Sequence, residues 1–357
     1  MYLAQVSGDI DHGASVLAPE VRLATAELGA FVIAVSHNRA GGHRFVVGGD
    51  GAIRIYPAAV LEDGDPVRCA AQLAIGAHPL SLAADGGPHH VILGCDDGTL
   101  RRYAPEGREE ILARSTGGWV ENVASSPGTG HRAYSVGRTV HVIDSDGAAL
   151  AYFAGLPSTP SGIAFSPDGA MIAVARYNGV NIWDLGSGQL AHDLTWRGSH
   201  TAISWSPDGR FVVTATQDRD LHCWELPGER DFKMSGYPSK IRSIGWTASS
   251  AYICASGAET VTSWHCGDGG PGGKPALELG FVFNGTVMRV APHPAEDRVA
   301  AGYDDGTVLI GDIAGGDALI AKPPGGGPVS AIEWAPDGRS LAAGTQGGTL
   351  AIIQLVA

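Results

Sequence analysis

The sequence predicts an all-β fold assembled from repeated four-strand units, and three observations carry that expectation. Short β-branched or alternating segments are bounded throughout by Gly, Pro, Asn and Asp, the pattern of strands joined by tight turns. Helical periodicity is absent along the chain. A turn of the type "W-S-P-D-G" returns at a steady interval. Aligned on the apolar residue before each such turn, the anchors are Val35, Leu82, Val123, Ile163, Ile203, Ile244, Val290 and Ile332, spaced by 47, 41, 40, 40, 41, 46 and 42 residues. A lone hairpin of this size is marginal in water. A repeat held this long is the mark of units that bury their apolar faces against one another.

Each anchor lies in the first strand of a unit. Second and third strands follow in order as "RFVVGGDGAIRIY", "HVILGCDDGTLRRY", "AYSVGRTVHVID", "MIAVARYNGVNIWDL", "FVVTATQDRDLHCWEL", "YICASGAETVTSWHC", "RVAAGYDDGTVLIGDI" and "LAAGTQGGTLAIIQL". A variable fourth strand precedes the next anchor, as in "QLAHDLTW" or "PALELGFVF". The eighth unit ends at its third strand, and "PEVRLATAELGA" ahead of the first anchor reads as the missing fourth. Residues near Glu20–Leu28 are therefore expected to pair antiparallel with Thr349–Leu355 and remove the two exposed edges a linear array would leave. Residues 1–19 fall outside the repeat and read as a tail or an extra strand, with residues 20–357 forming a single domain. The long connections "PAAVLEDGDPVRC" and "GDGGPGGKPA" read as surface loops.

The repeats resemble the WD40 family along nearly the whole chain. The specific marks are "FSPDG" (165–169), "WSPDG" (205–209), "APDG" (335–338), "DDGT" at 96–99 and 304–307, "IWDL" (182–185) and "CWEL" (223–226). The resemblance implies a β-propeller of four-stranded antiparallel blades, eight of them by the repeat count, with seven, the number common in this family, as the alternative. It also implies a structural tetrad of His, Ser/Thr, Asp and Trp. By position unit 5 carries all four, as His200, Thr214, Asp218 and Trp224, with His200 expected to bond Asp218. Unit 2 keeps only His78 and Asp97, with Leu93 and Tyr103 in place of the hydroxyl and the Trp; unit 7 keeps Asp305.

Composition narrows the function. The net charge of −13 with no Lys/Arg run argues against nucleic acid as a partner. No stretch approaches the ~20 apolar residues of a membrane helix, and the N-terminal residues carry neither the basic nor the apolar region of a secretory signal. The five cysteines, Cys69, Cys95, Cys223, Cys254 and Cys266, form no C-x-x-C, which fits a reducing compartment; the expected location is the cytoplasm. No His or Cys spacing matches a zinc site, "GGPGGKP" (269–275) lacks the Ser/Thr and helix of a phosphate loop, and no catalytic set can be assembled. Neither a metal nor a cofactor is expected.

The reading that remains is a non-enzymatic interaction scaffold, expected to be monomeric by itself and to bind a protein partner. The alternative is a propeller that binds a small molecule or metal at its channel mouth, with or without catalysis. In the family the connections entering each first strand and those joining second and third strands share one face, the top. Trp119, Glu121, Tyr177, Arg219, Lys240 and Arg242 are placed there, Trp119 carrying most weight as an aromatic that matches no core position of other units. An aromatic flanked by arginines has the composition of an interface hot spot. Residues beside the anchors are nearly all small, as a crowded channel demands; Arg289 and Glu333 are the exceptions. They read as an ion pair between units 7 and 8, or as a ligand site.

Overall fold

The structure, a computed structural model, describes residues 20–59, 62, 66–228, 230–267, 269–280 and 285–356. Residues 1–19, expected to form a tail or an extra strand, lie outside the described residues. What is described is all-β apart from one short 3-10 turn, Leu226–Gly228.

Each unit is built from the turn chemistry of its sequence. In unit 5 the Ser-Pro-Asp-Gly turn links the first strand to Phe211–Thr216: Ser206 Oγ donates to Asp208 Oδ1 at 2.5 Å and accepts from the Phe211 amide at 2.9 Å. The Gly209 amide closes the turn on the Ser206 carbonyl at 2.9 Å, with φ 73 at Gly209, a left-handed value that favours glycine. "FSPDG" in unit 4 repeats these contacts through Ser166, Asp168 and Met171. Strands then run antiparallel outward. In unit 1 the order is Val32–His37, His43–Gly48, Ala52–Pro57 and Ala71–Ala74; in unit 2 it is Pro79–Ala84, Val91–Cys95, Thr99–Tyr103 and Glu109–Arg114. Units 3, 6 and 7 follow the same order, from Val120–Ser125, Ile244–Trp246 and Val287–Pro292.

Unit 8 is completed from the other end of the chain. Glu20–Glu27 pairs antiparallel with Thr349–Val356 through eight residue pairs, Glu20 with Val356 to Glu27 with Thr349. The first strand of each unit packs on that of the next, and Val329–Trp334 packs on Val32–His37. The result is a closed ring, an all-β propeller of four-stranded antiparallel blades.

Units 4 and 5 depart from separate sheets. They share one six-stranded sheet, Gly162–Phe165, Met171–Asp184, Leu190–Trp205, Phe211–Thr216, Leu221–Glu225 and Arg230–Met234, so the described residues form seven sheets where the repeat predicts eight. Two long strands are responsible. Tyr177 pairs with Ser199 across the connection that would otherwise separate second from third strand and one unit from the next. Met171–Asp184 nonetheless doubles back, because the Leu185 amide reaches the Ala170 carbonyl at 2.9 Å, whereas an extended strand of that length spans roughly 45 Å. The reversal sits at Asn178 and Gly179, with φ 64 and 138.

The core lies between units rather than within them. Phe45, Val47, Ile53 and Ile55 of unit 1 pack on Val91, Leu93 and Tyr103 of unit 2. Val32, Val35 and Tyr56 pack on Ala342, Leu350 and Ile352 of unit 8. These side chains are all but completely buried, the Val, Leu, Ile and Phe among them each worth roughly 1.5–3 kcal/mol. The second strands carry glycine where the neighbouring unit comes closest: a Cβ on Gly302 or Gly344 would lie 2.4 or 2.2 Å from Val329 or Val32 of the next unit.

Candidate functional site

Six first strands carry an irregularity at one place. The register shifts between Val32 and Ala34, Pro79 and Ser81, Val120 and Asn122, His200 and Ala202, Val287 and Arg289, and Val329 and Ala331. Each is a bulge at the end where the chain enters the strand, and bulges re-aim side chains at rims and binding sites. Glu121 and Thr201 occupy two of these positions. The repeat alignment gave no sign of the bulges, because the spacing of the anchors already absorbs the extra residue.

Around this rim the expected residues separate into sectors. Trp119, directly ahead of the first strand of unit 3, is 57% exposed, and Tyr177 in unit 4 is 55% exposed. The backbone of Tyr177 is anchored, its amide donating to Ser158 Oγ at 2.8 Å. It lines a depression of about 450 Å³ with Arg176, Asn178, Thr195, Trp196 and Arg197. Lys240 and Arg242 line a smaller cleft of about 190 Å³ with Thr201, Thr216, Gln217 and Ile241. Arg219 is exposed on the turn of unit 5 at φ 65, its Nη1 donating to the Pro238 carbonyl at 2.9 Å. Tyr177, Arg219, Lys240 and Arg242 therefore occupy one sector, units 4 to 6, while Trp119 and Glu121 belong to unit 3. Phe31, 41% exposed ahead of the first strand of unit 1, is a further rim aromatic that the sequence reading missed.

The expected tetrad forms in part. His200 Nδ1 lies 2.8 Å from Thr214 Oγ1 and Nε2 lies 3.0 Å from the Trp196 carbonyl. A carbonyl only accepts, so Nε2 carries the proton and Nδ1 accepts from the Thr214 hydroxyl. Both nitrogens are thereby used, and the expected bond from His200 to Asp218 is not made; Asp218 is exposed on the adjoining turn. Burial, the largest influence, lowers the His200 pKa and agrees with a neutral ring. Trp224 completes an aromatic stack rather than a hydrogen-bonded set: His222 lies face to face with Trp196 at 3.8 Å and edge-on to Trp224 at 4.5 Å. His222 Nε2 is 3.0 Å from Asp231 Oδ2 without the alignment of a hydrogen bond, and burial pushes its pKa down to about 4. In units 1 and 2 the turn aspartates bind arginines of the third strand, Asp50 with Arg54 and Asp97 with Arg101. The pattern "D-G-x-x-R" at 50–54 and 97–101 is the signal that could have found this substitution.

Arg289 and Glu333 do not pair. Arg289 Nε donates to the Ser330 carbonyl at 2.8 Å and Nη1 to its own neighbour, the Met288 carbonyl, at 3.0 Å. Glu333 instead faces unit 1, its Oε1 accepting from the His37 amide at 3.4 Å and from Ser36 Oγ at 3.5 Å. The two residues stand one before and one after their anchors, so they are offset along the channel by roughly 6–7 Å. Burial drives the Glu333 carboxyl up to about 8, against the smaller pull of the His37 amide, Ser36 and Arg39. Arg39, unnoticed in the sequence, reaches from unit 1 across unit 2 to unit 3, with Nε on the Asp85 carbonyl at 2.6 Å and Nη2 on Ser125 Oγ at 2.8 Å. Among the described residues no three His, Cys, Asp or Glu side chains group as a metal site. No helix there is long and apolar enough to cross a membrane.

Comparison with known proteins places this architecture. A family profile described as "WD domain, G-beta repeat" matches residues 191–225, which end on the Trp224 strand. The chain is similar to Autophagy-related protein 16 of Arabidopsis thaliana, 23% identical over 186 residues, covering 50% of this chain and 35% of that protein. It is similar to Serine-threonine kinase receptor-associated protein of Bos taurus, 23% identical over 211 residues, covering 49% of this chain and 60% of that one. The matches thus span between about a third and three fifths of these relatives. Among solved structures, the computationally designed Ika8 protein superposes with a TM-score of 0.72 at 18% identity, covering 92% of this chain and 98% of its own, a likeness of fold.

Proposed function

The chain belongs to the WD40 repeat family, and from that premise we propose that it is a non-enzymatic scaffold that binds a protein partner on the rim face built from the bulged strand entrances and the turns between second and third strands. The observation that carries the reading is the pair of aromatics, Trp119 at 57% and Tyr177 at 55% exposure, held outward on that face. Exposed aromatics on a rigid frame beside arginines have hot-spot composition. The name of one relative, a receptor-associated protein, agrees with a binding role. Residues 20–357 act as one domain and as a monomer, and the five unpaired cysteines suit the reducing cytoplasm.

The same reading counts eight blade units. It is supported by the doubled-back course of Met171–Asp184, which gives unit 4 its own second and third limbs within the shared sheet. Eight first strands in ring contact support it as well. An experimental map of the ring with seven inner strands would remove the eighth.

The functional test is Trp119→Ala combined with Arg242→Ala, assayed on a partner recovered from the protein's own cell extract. A true hot spot weakens binding by ~2 kcal/mol or more with an unchanged melting temperature. Undiminished binding would move the interface to another surface.

A further inference from the structure

We propose that the cleft between units 5 and 6 is an oxyanion pocket that receives a carboxylate side chain of an acidic peptide segment, through Lys240 and Arg242. The inference rests on the rim-face reading above and names the chemistry of the partner.

The first support is an imbalance of pairing. The chain has 37 acidic residues against 24 basic ones, and many of its arginines use that excess. Arg54, Arg101, Arg132, Arg176, Arg210 and Arg230 all have carboxylate partners. Among the described residues, no ion pair is made by Arg219, Lys240, Arg242 or Arg289. These four unpaired cations are neighbours on the rim of units 5 to 7.

The second support is geometry. The cleft of about 190 Å³ is lined by Gln217, Lys240 and Arg242, with Thr201 and Thr216 in its wall donating their hydroxyls to the Ala215 and Asp220 carbonyls. Arg289, on the first strand of unit 7 and outside the cleft's lining, is fixed by its bonds to the Ser330 and Met288 carbonyls at 2.8 and 3.0 Å and adds positive charge within the field of Arg242. Burial first, and the charge of Arg242 second, lower the basicity of Arg289. Two guanidiniums held near each other repel, and an anion between them relieves that repulsion.

Size and charge select the occupant. Pockets for whole small ligands run roughly 300–1,000 Å³, so a cleft of about 190 Å³ suits the end of one side chain. The depression lined by Tyr177, Trp196 and Arg197 flanks the same connection, residues 195–201, and offers the following residues of a segment an aromatic floor. A net charge of −13 repels any long polyanion at a distance, so the occupant is a short segment that sets few carboxylates in the local field of Lys240 and Arg242. Asp218, exposed on the adjoining turn, opposes an incoming carboxylate, and this gives the test a variant of opposite sign.

The probe is a fluorescein-labelled hexaglutamate peptide, with hexaglutamine as its neutral counterpart, followed by fluorescence polarisation on the full chain. Hexaglutamate should bind, with hexaglutamine about tenfold weaker or worse, and added salt should weaken the former alone. Lys240→Gln with Arg242→Gln should cost hexaglutamate about tenfold. Arg68→Gln with Arg339→Gln, the same charge change on connections at the other end of the strands, should stay within about twofold, and Asp218→Asn should tighten binding by about twofold. Equal affinity for the two peptides overturns the proposal, as does equal loss in both double variants. Stronger competition by a ten-residue oligothymidylate than by unlabelled hexaglutamate reassigns the pocket to nucleic acid and also overturns it. If Trp119→Ala with Arg242→Ala releases the natural partner while hexaglutamate never binds, the scaffold reading stands and the acidic-segment inference falls.

Discussion

Replacing Glu333 with glutamine tests whether the channel holds a neutral carboxyl. Burial raises its pKa from the ordinary 4.5 to about 8, so at neutral pH the folded protein keeps a proton that the unfolded chain has released. Between these values the native state binds more protons than the unfolded one, and stability falls as pH rises. The contribution is whole below 4.5, declines through the interval, and is fully lost above about 8. A difference of about 3.5 pH units at roughly 1.4 kcal/mol each sets an upper bound near 5 kcal/mol, reduced where water enters the channel. Glutamine keeps the shape and can still accept from the His37 amide and Ser36 hydroxyl that hold Oε1. Urea unfolding of wild type and Glu333→Gln at pH 5, 7 and 9 should therefore show similar stability at pH 5 and a growing advantage for the variant, reaching about 2–5 kcal/mol at pH 9. A constant difference across the three pH values would refute the buried, neutral carboxyl.

The other expectations follow from named contacts. Deleting residues 1–29 removes all eight pairs with Thr349–Val356 and should lower the melting temperature and cause aggregation seen by light scattering; a monomeric protein with an unchanged melting curve refutes strand closure. Thr214→Val deprives His200 Nδ1 of its 2.8 Å partner and should cost about 1–3 kcal/mol in chemical denaturation, whereas Asp218→Ala should change stability by less than about 0.5 kcal/mol. The opposite ranking would restore Asp218 to a buried network. Asp85→Asn should cost about 3–5 kcal/mol, because Arg132 Nε and Nη2 meet the fully buried Asp85 carboxylate at 2.5 and 3.0 Å; an unchanged denaturation midpoint would sink that assignment.

The fold was legible because its signals are local and repeated. A Ser-Pro-Asp-Gly turn specifies its own hydrogen bonds, and eight anchors at a near-constant interval leave little freedom in what the strands between them do. Strand closure was legible for a related reason, since a unit lacking its fourth strand and a spare strand at the other terminus are both visible in the letters. The seven-sheet count was not. It depends on whether Tyr177 pairs with Ser199 across a connection, and such a pair is set by how two turns meet in space. "Y-N-G-V" reads equally well as a turn between separate strands.

Side-chain partners were the least legible layer, and the reason is competition for hydrogen-bonding atoms. Position assigned Asp218 to His200, but the Trp196 carbonyl is nearer along the chain and takes the second ring nitrogen. Arg289 and Glu333 occupy adjacent first strands in opposite steps from their anchors, and a two-residue offset is enough to give each a different neighbour. In both cases the residue types were correctly singled out and the pairing was decided by a backbone group or a few ångströms of register. The same logic explains why the unpaired cations matter. In a chain with surplus carboxylates, a lysine and an arginine left side by side without one mark a place where the fold has declined a local partner, and Gln217 lines the same cleft as Lys240 and Arg242.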